Sequence, residues 1–159
     1  MNIAASNFLV FSRLFYCSSV WSNTSKENLK KMQLVRHFSA RIIVGLRKYD
    51  HVSPALKELK WLNVKDQFYL RDAVLVFKSL HHLTPPSLTE KFKRNSEVHS
   101  RVTRNINDLH LPRCRLVTGQ RTFSFRGAKL WNSLLPEINS EQSLKSFKQK
   151  LYKYLFSAD

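Results

Sequence analysis

Residues 24–45 read TSKENLKKMQLVRHFSARIIVG, and this stretch decides the fold class. Thr24 with Glu27 three positions on is a capping-box signature, and Gly45 is a stop for the helix so begun. Between them Leu29, Met32, Val35 and Phe38, continuing to Ile42 and Ile43, recur at helical spacing and predict the core face. Lys26, Lys30, Arg36 and Arg41 are then expected on the opposite face.

Upstream, Phe8, Phe11, Leu14 and Phe15 predict one helix from Ala4 to Trp21, ending before Ser22-Asn23-Thr24. Downstream, Ser53-Pro54 starts a short helix through Leu56 and Leu59, since Pro at the first helical position sacrifices no internal hydrogen bond. Trp61-Leu62 plugs the joint that follows. Asn63 caps a long helix to about His82, with Phe68, Ala73, Val74, Val76, Phe77 and Leu80 as its apolar positions, and Thr84-Pro85-Pro86 ends it. Helical periodicity then lapses. The alternation around Leu109, Leu111 and Val117, a turn at Gly119, and Phe123 and Phe125 beyond it predict a short β-hairpin or extended arm near 109–125. Helical segments around Ala128–Leu135 and Ser143–Phe156 close the chain, the latter through Leu144, Phe147, Leu151, Tyr154 and Leu155. The expected fold is mainly α, a bundle of about five to six helices with a basic arm. Its expected organisation is a helical region 1–90, a basic arm 91–126 and a C-terminal helical segment 127–159 packing on the first part.

The 159 residues carry a net charge of +16 while 43% are hydrophobic, which points to a folded polycation rather than a disordered one. Each phosphate such a chain neutralises releases condensed counterions, so RNA or DNA, bound through its phosphates without sequence preference, is the expected partner. From Lys91 to Arg126, nine Lys and Arg face only Glu97 and Asp108. The candidate phosphate contacts are Lys26, Lys30, Arg36, Arg41, Arg101, Arg104, Arg113, Arg115, Arg121 and Arg126. Phe123 and Phe125 read as the buried side of a strand in preference to base-stacking platforms. Trp21, Trp61 and Trp131 read as core anchors, and Trp131-Asn132-Ser133-Leu134 as a packed corner whose Asn and Ser satisfy backbone groups at a helix end.

Catalytic constellations are missing. Two-metal phosphoryl chemistry requires paired aspartates, and Tyr49-Asp50-His51 supplies one carboxylate where two are needed. Asp66 and Asp72 fall on different faces of their predicted helix. His110 and Cys114 make half of a zinc site, with only His99 nearby, and His81-His82 suit a helix C-terminus. Three glycines leave little for a phosphate loop or a nucleophile elbow. The expectation is a noncatalytic chain with no cofactor and no metal. Cys17 and Cys114 show no disulfide-framework spacing, which favours a reducing, intracellular setting, nuclear or cytoplasmic. Residues 3–11 are mostly apolar, but no Lys or Arg precedes them and Ser12-Arg13 interrupt them, so no signal peptide is expected. No run approaches the ~18 apolar residues of a membrane span.

An ordered set of landmarks carries a resemblance. They are Tyr16-Cys17-Ser18-Ser19-Val20-Trp21, Asn28-Leu29-Lys30-Lys31-Met32-Gln33, Ala40-Arg41-Ile42-Ile43-Val44-Gly45, Asp50-His51-Val52-Ser53-Pro54, Leu59-Lys60-Trp61-Leu62-Asn63-Val64, Ala128-Lys129-Leu130-Trp131-Asn132-Ser133-Leu134-Leu135-Pro136 and Phe147-Lys148. Together they resemble the C-terminal region, after the palm, of reverse transcriptases of non-long-terminal-repeat (LINE-like, jockey-type) retrotransposons. Leu135 departs by interrupting the usual Ser-Leu-Pro corner, and Cys114 stands where related tails usually lack a cysteine. The resemblance implies a thumb-and-tail segment of an RNA-directed DNA polymerase that helps hold template RNA or target DNA. No position matches the polymerase's metal-binding aspartates, so none is carried over. Three present roles are compatible with it: a nucleic-acid-binding fragment, a protein-interaction module that docks on another chain or on a palm, or self-associates, through Trp21, Trp61 and Phe68, or a nonfunctional transposon remnant beginning inside a broken insertion.

Overall fold

A computed structural model describes residues 11–100 and 104–158. Among the described residues the chain is mainly helical. Eleven helical segments follow one another without a strand, and a single antiparallel bridge joins Arg94 to Leu109. The backbone forms two compact units, residues 1–68 with 155–159, and residues 69–154.

The first unit opens with α1 (Ser12–Leu14) and α2 (Ser18–Trp21). The continuous helix expected there is interrupted in its described part, because Cys17 takes a left-handed conformation with φ 46°. Residues 4–10 of that expectation lie outside the described residues. The long helix α3 (Lys26–Val44) begins one residue later than the capping box predicts: Ser25 accepts the Asn28 backbone N–H at 3.3 Å, and Thr24 instead accepts from the Asn28 side chain. Gly45 ends it at φ 76°, with the Leu46 N–H reaching back to the Arg41 carbonyl. The short helix α4 (Ser53–Glu58) carries Pro54 in its first turn and leads to the buried Trp61-Leu62 joint. Asn63 then caps α5 (Val64–Leu80), its Oδ1 accepting the Asp66 N–H at 2.9 Å.

Aromatic rings dominate the core of this unit. Phe11 meets Trp61 edge-on at 4.8 Å, and both Phe15 and Trp21 meet Phe68 edge-on, at 5.6 and 5.2 Å. Ala40, Val52 and Val64 fill the space between, with Leu29, Met32, Ile43, Leu56 and Leu59 around them. Such tilted ring pairs contribute about 0.5–1.5 kcal/mol each beyond the area they bury. The core face of α3 differs from the expected one. Arg36, Ser39 and Ala40 are buried, whereas Val35, Phe38 and Ile42 are exposed.

The second unit contains the rest of α5 and six further segments, the last of them as far as Tyr154. They are α6 (Pro86–Thr89), α7 (Asn95–Val98), α8 (Val117–Gln120), α9 (Phe123–Asn132), α10 (Pro136–Asn139) and α11 (Leu144–Ala158), following the α5 stretch from Tyr69. Phe77, Trp131 and Phe147 form its central ring cluster, with Phe77 to Phe147 at 4.6 Å and Trp131 stacked on Phe147 at 5.7 Å. Gly127 lets α9 approach closely: a Cβ there would lie 2.9 Å from Val76 and 3.0 Å from the Phe92 ring.

The hairpin expected at 109–125 does not form. Val117–Gln120 is a helical turn containing Gly119, and Phe123 and Phe125 belong to α9. Alternation over so few residues fits either period, and the apolar positions further along, Ala128 and Trp131, extend the helical one. Strand-like pairing occurs elsewhere. The Asn95 N–H donates to Asp108, Ser96 to Ile106 and His110 to Lys93, so residues 93–96 run antiparallel to 106–110.

Candidate nucleic-acid interface

The basic segment lies wholly in the second unit and is held by backbone pairing and one asparagine. Asn132, on the last turn of α9, accepts the Leu109 N–H and donates to the Leu109 carbonyl, both at 2.9 Å. An amide side chain thereby completes the pairing a neighbouring strand would otherwise supply. Asn132 had been expected to serve a helix end; Ser133 does that, its hydroxyl donating to Leu130 at 2.7 Å. Leu109 and Phe92 are buried beneath, and Phe92 meets Phe123 edge-on at 5.6 Å.

On this base the cations face outward. Arg104, Arg113, Arg115 and Arg121 are exposed, as are Lys91, Lys93 and Arg94, three cations outside the expected contacts. Arg94 also donates to the Asn107 carbonyl at 2.8 Å, bracing the pairing. The signal for these three was their place in the charge imbalance. Arg101 lies outside the described residues.

Three predicted contacts have other occupations. Arg36 is 3% exposed, its guanidinium over the rings of Phe11, Trp61 and Phe15 at 5.1, 5.4 and 5.7 Å. A buried guanidinium facing three rings is a core component, which corrects its assignment to a phosphate-binding face. Arg126 pairs with the buried Asp72 at 3.1 Å and donates from Nε to the Arg121 carbonyl. Arg41 is half-buried and donates to the Asp50 carbonyl at 3.1 Å, closing the turn after α3. Lys26 and Lys30 are exposed on α3, in the first unit. The candidate residues thus divide between the units, and the dense group is 91–121.

No family model, curated protein or solved structure matches this chain. The site therefore stands on its chemistry. Exposed guanidinium and ammonium groups beside uncharged Asn and Ser residues suit phosphate oxygens. Exposed Leu111, Leu116 and Val117 lie among the arginines, and Phe123 and Phe125 are half-buried. Among the described residues no three His, Cys, Asp or Glu side chains gather as a metal-holding group, and Cys17 and Cys114 are unbridged. The Cys114 side chain instead packs at Gly119, where an added Cβ would meet it at 3.1 Å. No described helix is long and apolar enough to cross a membrane.

The three tryptophans sit in ring clusters. Trp61 and Trp131 are buried, and Trp21 lies half-buried on Phe68, its indole N–H donating to the Tyr16 carbonyl at 2.9 Å. Phe68 is buried as well, so Trp61 and Phe68 offer no docking surface. The exposed apolar residues of the first unit are Leu34, Val35, Phe38 and Ile42, side by side on α3, and Tyr16, Val20 and Tyr49 outside it.

Proposed function

We propose that this chain is a noncatalytic, nucleic-acid-binding piece of a reverse transcriptase of the non-long-terminal-repeat retrotransposon type, gripping RNA or DNA by its phosphates. The landmark order from Tyr16 to Phe147-Lys148 supports the ancestry. The observation that carries the binding is the exposed group Lys91, Lys93, Arg94, Arg104, Arg113, Arg115 and Arg121, opposed within 91–126 only by Glu97 and Asp108. Paired backbone holds part of this segment, so fewer degrees of freedom are lost when it meets a phosphate backbone.

Fluorescence anisotropy of labelled single-stranded RNA, single-stranded DNA and duplex DNA across a salt series tests it. The logarithm of affinity falls linearly with the logarithm of salt for all three. Replacing Arg113, Arg115 and Arg121 together by Ser lessens the slope by about 2 units on single strands and about 2.7 on duplex. Weak, salt-independent binding, or a slope untouched by the triple variant, would overturn the reading. Primer extension by the purified chain with magnesium or manganese would overturn its noncatalytic part.

A further inference from the structure

Helix α3 is apolar on two sides. One side carries Leu29, Met32, Ala40 and Ile43 into the aromatic core of its own unit. The other carries Leu34, Val35, Phe38 and Ile42, which are 64, 42, 64 and 42% exposed. At 100° per residue these four fall within an arc of about 100°, opposite the buried Arg36. A helix of a globular unit needs one apolar stripe, and the inner one already serves the core. Leu34, Phe38 and Ile42 also form a row at four-residue spacing, the ridge by which packed helices interdigitate.

Charge indicates what covers the row. Lys30 and Lys31 are exposed beside its N-terminal end, Arg41 borders it, and Arg47 and Lys48 follow beyond Gly45. Glu27 is the only acid on α3, and it is paired with Lys31 at 3.3 Å. A second copy of this chain would bring +16 against +16 and lysine against lysine. Nucleic acid would match the charge but not the row, since three of its four side chains are aliphatic and offer no plane to a base. The remaining chemistry is an apolar ridge edged with carboxylates.

We propose that this face of α3 docks an amphipathic helix of a separate protein, with a leucine-type row flanked by Asp and Glu. Docking seats the row across Leu34, Phe38 and Ile42, and the flanking carboxylates meet Lys30, Lys31 and Arg41. The proposal does not depend on nucleic-acid binding.

The probe is a labelled synthetic helical peptide with leucines along one face and glutamates beside them, titrated with the whole chain and followed by anisotropy. One control peptide replaces the glutamates by lysine; another keeps the glutamates and replaces the leucines by serine. The first peptide binds at least about tenfold tighter than either control. Leu34→Ser with Phe38→Ser weakens it by a similar factor while thermal stability and RNA affinity hold, since both side chains are exposed. Equal binding of the leucine-free peptide would reduce the effect to polyanion capture and overturn the proposal. Undiminished binding by the double variant would place the dock elsewhere, with the same consequence. A wild-type dimer in sedimentation that Phe38→Ser converts to monomer would overturn it in favour of a second copy.

Discussion

At the scale of single residues, Gln33 links α3 to the start of α5 and fixes a histidine's state. The Val64 backbone N–H can only donate, so the Gln33 atom 2.8 Å from it is the amide oxygen. The Gln33 nitrogen then faces His37 Nε2 at 2.8 Å, and that ring nitrogen must accept. His37 is therefore neutral in the fold. Its pKa is lowered by burial first, then by Arg41 and Arg36. A histidine lowered in the folded state takes up its proton more readily when unfolded, so stability is lost as pH falls below about 6.5 toward the folded value. The melting temperature should drop more on acidification in the wild type than in His37→Gln, whose amide oxygen still accepts from Gln33; equal drops would refute the link. Arg36 offers a second test. Arg36→Ala removes the guanidinium from three rings and leaves a cavity, costing on the order of 3 kcal/mol in denaturant unfolding. The salt slope of RNA binding by the folded fraction should stay as in wild type. Neither role was legible in the sequence, where Arg36 had the spacing of the solvated lysines; which arginine enters the core depends on Phe11, Phe15 and Trp61, which come from other segments.

Three helices end by the same device, and only one uses glycine. After α3, α4 and α5 the residues Gly45, Lys60 and His82 adopt φ of 76, 53 and 55°. In each case the next N–H reaches back five residues, Leu46 to Arg41, Trp61 to Leu56 and Leu83 to Lys78. A side chain in this left-handed conformation costs about 1–2 kcal/mol, and glycine returns part of the gain through its freer unfolded chain. Lys60→Gly and His82→Gly should each stabilise by roughly 0.5–1 kcal/mol in denaturant unfolding, and a loss of stability in both would show that the side chains are needed. The stop at Gly45 was readable because glycine marks it. Lys60 and His82 carry no such mark, although the Pro85-Pro86 pair did predict the end of α5. The misread hairpin has a related cause: residues 109–125 held strand-like alternation, but Phe123 continued into the apolar positions of α9, and the pairing partner of 106–110 was 93–96. Turn chemistry is local, whereas strand pairing is chosen between distant segments.

For the whole molecule the dominant quantity is charge. Among the described residues three ion pairs form, Lys31 with Glu27, Arg126 with Asp72 and Lys150 with Glu141, against a net +16. Uncompensated cations repel one another in the compact state, and salt screens that repulsion. Raising sodium chloride from about 50 to about 300 mM should raise the melting temperature while it weakens RNA binding. A melting temperature that falls over this range would mean that the ion pairs outweigh the repulsion. The helical class, the main helices and the basic character of 91–126 were determined by the sequence alone, because periodicity, caps and charge are properties of neighbouring residues. Tertiary structure decided which face of α3 is buried, which arginines remain in solvent and how the basic segment is held. Those outcomes depend on residues distant in the chain, Trp61 beside Arg36, Asp72 beside Arg126 and Asn132 beside Leu109, and spacing along the chain carries no record of such meetings.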